Sequence, residues 1–472
     1  MSRRHANTFR LAAILGIVQV SLVALVIGGC PVVPPADDGG GTTPPPATGN
    51  TGLTGKYIGS ETCRVCHSRT HSDWTDTLHA RALVTLENIG QASNPVCLPC
   101  HTVGFGQDGG FVNRATTNAL AGVGCETCHG PARDHAENAA DRTLRPPISI
   151  ASAVCGECHT GSHHPHIDEW ATSAHGRVTP SVATAFAAGR NLNACGKCHS
   201  GDMFWRGIIR TETVADNALQ GLAPEQMNAV TCAICHDPHR RTGNAPAPED
   251  GRDFQLRYPE VASPTPTNTI DATTNAARFN LCGQCHHDRG ADWTQTARGP
   301  HYSVQANVYV GEMPMPATLD PEPPLVFSRV SVHSFAREQC ATCHLHRQDF
   351  QSEVAPAIAG HTFQVNHQSC ATAGCHPSEA QALAVQATLQ TETQGRIDEI
   401  RALLGPPATW EYSMTGGPAD QSALPDSIRQ ARFLLKYVVA DGSLGMHNPA
   451  YVRDMLIKAR ELIVNEPNWP LP

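Results

Sequence analysis

Gly124-Cys125-Glu126-Thr127-Cys128-His129-Gly130-Pro131 holds a pattern that recurs along the chain and decides its fold. Cys-x-x-Cys-His also occurs at Cys63/Cys66/His67, Cys97/Cys100/His101, Cys155/Cys158/His159, Cys195/Cys198/His199, Cys232/Cys235/His236, Cys282/Cys285/His286 and Cys340/Cys343/His344. A ninth copy, stretched to four intervening residues, is Cys370, Cys375 and His376. Together they use eighteen of the nineteen cysteines and leave only Cys30. In this pattern two thiols form thioethers to a porphyrin and the adjacent histidine ligates its iron, as in c-type haem. Two residues between the cysteines set both sulfurs against the vinyl positions, and the next side chain falls under the metal. A zinc knuckle or a redox dithiol would account for one isolated Cys-x-x-Cys. Neither requires a histidine after every second cysteine. The ninth site keeps a small structural disulfide as its alternative.

The ends of the chain explain the remaining cysteine. Arg3, Arg4 and Arg10 precede an apolar run from Leu11 to Ile27, followed by Gly28-Gly29-Cys30. A basic region, an apolar region and small residues before a cleavage point make a secretory signal peptide over 1–29. The Ile27-Gly28-Gly29-Cys30 stretch is similar to a bacterial lipobox, so Cys30 is expected to carry a lipid anchor in the mature chain. An uncleaved membrane anchor is the alternative, since the run is nearly long enough to span a bilayer. Either way the remainder lies outside the cytoplasm, facing the periplasm or the cell surface. Residues 30–55 are rich in Pro, Gly and Thr and read as a disordered tether.

Lys and Arg total 34 against 43 Asp and Glu. This acidic balance argues against a nucleic-acid partner and suits steering of basic redox proteins. Aromatic residues make up only 5% of the chain. A conventional core is therefore hard to build through the signature region, and the haems are expected to supply apolar filling.

First cysteines of successive signatures lie 28 to 58 residues apart. Segments of that size cannot fold alone, so residues 56–380 are expected to form one nine-haem domain whose stability depends on its cofactors. A short helix is expected at each signature, with turns rich in Gly, Pro, Asn and Asp between them. The fold class is mainly α with much irregular loop, wrapped around a stacked haem array. Residues 381–472 lack cysteine and show helical periodicity: Leu389, Thr393, Ile397, Ile400 and Leu404; then Ile428, Ala431, Leu435 and Val438; then Val452, Met455, Ala459 and Leu462. They are expected to form a haem-free helical subdomain packed on the rest.

Histidine supply bears on coordination. The chain has 25 histidines, of which nine belong to signatures and His5 to the signal peptide, against eight methionines. Fifteen candidates for nine open axial positions favour bis-histidine haems of low potential. Several stretches show a signature, then Trp, then His: Trp74 and His79 after the first, Trp170 and His175 after the fourth, Trp293 and His301 after the seventh. In these stretches the chain resembles the cytochrome c554 / hydroxylamine oxidoreductase superfamily of multihaem cytochromes, across roughly 56–465. The contexts of His135, His239, His333, His361 and His447 are similar to distal-ligand contexts of that group. The resemblance thus implies His79, His135, His175, His239, His301, His333, His361 and His447 as distal ligands. A ninth is expected from His163/His164/His166, His71, His346 or His367.

Two functions remain open on sequence. One is electron transfer through closed bis-histidine haems, exchanging electrons with other cytochromes or quinol-linked membrane complexes. The other, implied by the superfamily, is an oxidoreductase acting on a small nitrogen or sulfur compound (hydroxylamine, nitrite or tetrathionate) at one five-coordinate haem. No catalytic residue stands out. Tyr258, Tyr302 and Tyr309 are candidates for a haem crosslink. The fifth signature, with no histidine between His199 and His236, is the first place to look for an open iron.

Overall fold

The computed structural model describes residues 53–241, 254–257, 281–311, 331–336, 339–372 and 374–470. The proposed signal peptide, Cys30, most of the tether and Tyr258 lie outside them. Among the described residues there are helices and loops but no strands, only isolated bridges such as Thr102 with Ala121 and Gln348 with Ile358. None of the described helices is long and apolar enough to cross a membrane.

Short helices form at the signatures, including Leu98–His101, Cys125–His129, Leu192–His199 and Cys340–His344. One turn is enough for the chemistry. The amide of His67 donates to the carbonyl of Cys63 at 2.9 Å, and His159, His236 and His286 repeat the bond to Cys155, Cys232 and Cys282 at the same length. That i to i−4 bond stacks each histidine one turn above its first cysteine.

At the first two signatures the short helices do not span the whole motif. The helix Ser60–Cys63 ends on its first cysteine, so Cys66 falls in the turn behind it, with its amide donating to Cys63 O at 3.2 Å. The helix Leu98–His101 contains Cys100 but begins after Cys97, and Cys100 N donates to Cys97 O at 3.2 Å. Cys158 and Cys285 close on Cys155 and Cys282 in the same way, at 3.2 and 3.1 Å. An i to i−3 bond is the tighter closure of a single turn, and it sets both sulfurs of a pair without help from a longer helix. The ninth signature closes by a wider turn, His376 N to Cys370 O at 3.2 Å. Cys370 and Cys375 are not joined as a disulfide.

Two small apolar cores anchor the signature region. One gathers Tyr57, Leu83, Leu86, Leu98, Val103, Phe111 and Leu120 around the second signature. The other gathers Val178, Ala183, Phe186, Leu192, Val214, Leu219, Met227 and Ala229 around the fifth. The largest core belongs to the C-terminal helices Glu379–Leu404, Asp426–Asp441 and Pro449–Val464. Thr393, Ile397, Ile400 and Leu404 of the first are buried, as are Ile428, Ala431, Leu435 and Val438 of the second and Val452, Met455 and Ala459 of the third. Each such buried aliphatic side chain contributes roughly 1.5–3 kcal/mol. This core does not stop at residue 381: Ala291, Val304 and Val308, from the segment after the seventh signature, belong to it. Arg432 is buried there with its guanidinium 3.8 Å from the Tyr412 ring centre, and its Nη1 donates to Trp410 O, Glu411 O and Gln421 Oε1. These bonds from a buried cation fix the 405–425 loop on the second helix.

Glu126, between the cysteines of the third signature, is also buried. Its carboxylate accepts from the amides of Ile58 (3.0 Å), Gly59 (2.8 Å) and Ala132 (2.9 Å), tying the start of the domain to the third site. Charged acceptors strengthen such bonds, and removing this one strands three donors. Glu126→Ala should lower the unfolding free energy by roughly 3 kcal/mol, read by urea titration of the far-ultraviolet dichroism. A loss below about 0.5 kcal/mol, the usual range of a neutral surface change, would contradict this account of Glu126.

Candidate haem-ligand sites

The eighteen signature cysteines are not paired in disulfides. Among the described residues no three or more His, Cys, Asp or Glu side chains converge as a metal cage, which a tetrahedral zinc knuckle needs. Cys66 and Cys100, expected as second thioether sulfurs of the first two sites, are both half-buried. They differ in surroundings. Cys66 sits outside its helix in the turn that precedes His67, whereas Cys100 hydrogen-bonds the Cys158 thiol of the fourth signature. The sulfur of Cys100 thus also touches another site. Thioether formation removes the thiol proton, so that contact becomes sulfur packed on sulfur when haem is attached.

Histidines stand opposite one another in twos. An imidazole centre lies about 1.1 Å behind its nitrogen and metal–imidazole bonds are about 2.0–2.1 Å. Two imidazoles on opposite faces of one ion therefore have centres about 6.2 Å apart.

Six signature histidines have a non-signature histidine at this spacing. His129 and His239 are 6.1 Å apart, as are His159 and His79, His199 and His301, and His286 and His175. His236 and His361 are 6.2 Å apart, and His344 and His447 are 6.3 Å apart. His159 has a second ring, His164, at 6.1 Å. The residues present therefore fit c-type haem: a cysteine pair and a histidine on one side, a second imidazole on the other. His79, His175, His239, His301, His361 and His447 are the expected residues so placed. His67 lies close enough to His135 to help push it down, and His101 stands likewise to His164. At the fifth signature, the first place to look for an open iron on sequence, His301 faces His199. Its partner comes from about a hundred residues downstream, beyond any local search.

Hydrogen bonds settle which nitrogen each ring presents. Nδ1 of His101 bonds Ala82 O at 2.8 Å, that of His129 bonds Pro147 O at 2.9 Å, and that of His344 bonds Phe363 O at 2.9 Å. On the opposite side, Nδ1 of His361 bonds Ala359 O at 3.0 Å and that of His333 bonds Met446 O at 2.8 Å. A carbonyl acceptor fixes the proton on Nδ1 and leaves the Nε2 lone pair for a metal. His367 does the reverse, its Nε2 bonding Gln386 Oε1 at 2.5 Å, and is not presented as a ligand. Nε2 of His71 is buried without a hydrogen-bond partner, 3.4 Å from Glu61.

Electrostatics favour neutral rings. Burial, reinforced by neighbouring imidazoles, pushes His159 and His361 down to about 3 and His175 to about 4. A ligating imidazole must be unprotonated, so these rings are ready at neutral pH. His447 is the exception. Burial acts to lower it, but the buried Asp441 carboxylate 2.6 Å from its Nδ1 raises it above the usual histidine range. A carboxylate at Nδ1 raises the basicity of the imidazole it holds. Asn448, and not His447, caps the last helix, accepting from Tyr451 N.

Sequence reasoning missed the work of the tryptophans. Trp74 Nε1 donates to Val123 O at 3.1 Å and Trp170 Nε1 to Val230 O at 2.9 Å, each binding the chain just ahead of another signature. Tyr309 is buried and donates to His333 O at 2.6 Å, whereas Tyr302 is exposed.

Comparison with known proteins agrees with this geometry. The family described as "Cytochrome c554 and c-prime" matches residues 62–130. Cytochrome c-554 of Nitrosomonas europaea is 36% identical over 93 residues, 16% of this chain and 40% of that protein. Multiheme cytochrome MtrA of Shewanella baltica is 25% identical over 139 residues, 26% of this chain and 38% of that one. The polyheme cytochrome OmcC of Geobacter sulfurreducens is 27% identical over 186 residues, 35% of this chain and 22% of its own. The chain thus spans less than half the length of these curated relatives. The crystal structure of the outer cell wall cytochrome OcwA superposes with a TM-score of 0.56 at 18% identity, covering 86% of this chain and all of that one, and so shares the fold. The chain is a multihaem c-type cytochrome with covalently bound haem.

Proposed function

We propose that this cytochrome is an extracytoplasmic electron carrier holding nine covalent haems, nearly all with two histidine ligands, and tethered to a membrane by a lipid on Cys30. The proposed thioether sulfurs are the eighteen signature cysteines, beginning with Cys63 and Cys66 at the first site and Cys97 and Cys100 at the second. One observation carries the reading: six signature histidines each face a second imidazole at 6.1–6.3 Å. Haem bound there supplies a one-electron ferric/ferrous couple. A haem held between two of the chain's own imidazoles would leave substrate no place to bind and would be limited to outer-sphere transfer. Histidine on both sides, in place of methionine, holds potentials low. The carbonyl bonds to Nδ1 fix each ring, so little rearrangement accompanies the change of charge.

The proposed partners are other redox proteins, either cytochromes or quinol-linked membrane complexes. MtrA and OmcC are themselves named as multihaem and polyhaem cytochromes. The net charge of −9 supports steering toward basic surfaces rather than toward nucleic acid. The proposed limits are a signal peptide over 1–29, a tether over 30–55, a haem domain over 56–380 and a helical subdomain from 381 onward.

Electron paramagnetic resonance of the oxidised protein, beside its intact mass, tests this reading. The expected outcome is nine haems, a lipidated Cys30 and only low-spin signals. A stoichiometric high-spin haem, with turnover of hydroxylamine, nitrite or tetrathionate, would make the chain an enzyme instead. A second expectation concerns His447. Asp441→Asn keeps an acceptor at Nδ1 but removes the charge, so one midpoint potential should rise by on the order of 50 mV, about 59 mV being tenfold in a one-electron equilibrium. Unchanged potentials in spectroelectrochemical titration would show that Asp441 does not tune the eighth site.

A further inference from the structure

The first and fourth signatures are embedded in the same set of bonds. Ser60 Oγ accepts from Cys125 N at 3.1 Å, and Ser152 Oγ accepts from Cys232 N at 3.3 Å. Each serine stands three residues before its first cysteine. The indole bonds of Trp74 and Trp170 end on the residue two places before Cys125 and Cys232. Thr77 and Ser173 hydroxyls each donate to the carbonyl of their own tryptophan at 2.7 Å. Each block also encloses one small apolar core around a middle signature. Sites one, two and three are thus repeated as four, five and six.

Contacts between sites repeat with the same register. The first cysteine of site one hydrogen-bonds that of site three, and sites four and six, and seven and eight, do likewise. The second cysteine of site two, Cys100, bonds that of site four, Cys158, and site five stands so to site seven. In backbone terms, Cys198 Sγ reaches Gln284 O and Cys285 Sγ reaches Lys197 O, both at 3.9 Å. The second cysteine of site three neighbours the first of site four, site six stands so to seven, and site eight so to nine. Sites seven and eight are therefore a third unit that lacks its middle site, and site nine opens a fourth.

Ring pairs obey the same rule. His79 of the first unit faces the leading site of the second, and His175 of the second faces the leading site of the third. The closing sites take theirs from the unit that follows: His239 for site three, His361 for site six. The tail supplies the last of these, His447 for site eight. The leading site of the fourth unit, His376, then requires a histidine of the third, between sites seven and eight. That stretch holds His287, His301 and His333. His301 faces His199, and the Nδ1 of His287, next to the site-seven ligand, accepts from Arg289 N. His333 is left, with Nδ1 held by Met446 O.

We propose that the chain is a threefold repeat whose units ligate one another's haems, and that His333 is the distal ligand of the ninth haem. By the same register the sites form a row one–three–four–six–seven–eight–nine, with two and five as side branches at four and seven. The Gly445-Met446-His447 loop then completes both final sites, replacing a fourth unit. Repeat arrays need such atypical ends. This rests on reading the nine signatures as haem sites, which haem stoichiometry checks separately.

The test uses the full-length protein with spin state and haem mass as readouts. His333→Ala should keep nine haems and convert one to high spin. Replacing Cys370 and Cys375 by Ala should leave eight, all low spin, and adding His333→Ala to that variant should create no high-spin signal. A high-spin signal that survives loss of the ninth haem would place His333 on another iron and overturn the assignment, as would a His333→Ala protein that stays wholly low spin. Should the alanine variants fold poorly, His333→Met supplies a replacement ligand: nine haems, with one potential raised by sulfur ligation, are expected. Nine haems with all potentials unchanged would overturn the proposal.

Discussion

A bis-histidine haem needs two imidazoles on opposite faces, and a covalent signature supplies only one. The second cannot come from the same helical turn, because the porphyrin lies between. The chain must therefore bring a distant histidine across, and most of the architecture follows from that need. His236 and His361, or His344 and His447, are separated by about a hundred residues, yet their rings lie 6.2 and 6.3 Å apart. Such crossings add to apolar cores that stay small through the signature region. They also make the fold cooperative, since one haem holds two remote segments together.

Hydrogen bonding refines the same constraint. Carbonyl oxygens of Ala82, Pro147, Phe363 and Ala359 each hold an Nδ1 and turn Nε2 toward the metal position. These acceptors are backbone atoms, three of them on irregular loops and Ala82 at the start of the helix Ala82–Asn88. The Asp441–His447 pair departs from the pattern with a full charge, and it stands where the helical tail meets the eighth site. Continuity of the tail core with Val304 and Val308 makes this contact rigid.

The attachment motifs were legible because they are local: cysteine, cysteine and histidine lie within one turn, and the bonds from Cys66 N and His67 N to Cys63 O need nothing from the rest of the chain. The contact between Cys100 and Cys158 was not legible, because it joins two signatures that sequence reading treats as separate. The helical faces of the tail could be read because periodicity alone places Ile428, Ala431, Leu435 and Val438 inward. Which histidines face which signatures could not. Local context picks out His301 as a candidate, but only tertiary structure sets it against His199 of another unit. The fifth signature shows this best: His301 lies about a hundred residues past His199, beyond the next histidine in sequence, His236. The tryptophan tethers were hidden for the same reason, their acceptors at Val123 and Val230 having no signal of their own.

Interlocked ligation fixes the order of the irons in space as well as their chemistry. An iron anomalous-difference map of the holoprotein tests this most directly. The account predicts nine iron positions, seven in one continuous row from the first signature to the ninth, with the irons of sites two and five beside those of four and seven. Sequential irons following chain order, with sites two and five inside the row, would contradict it.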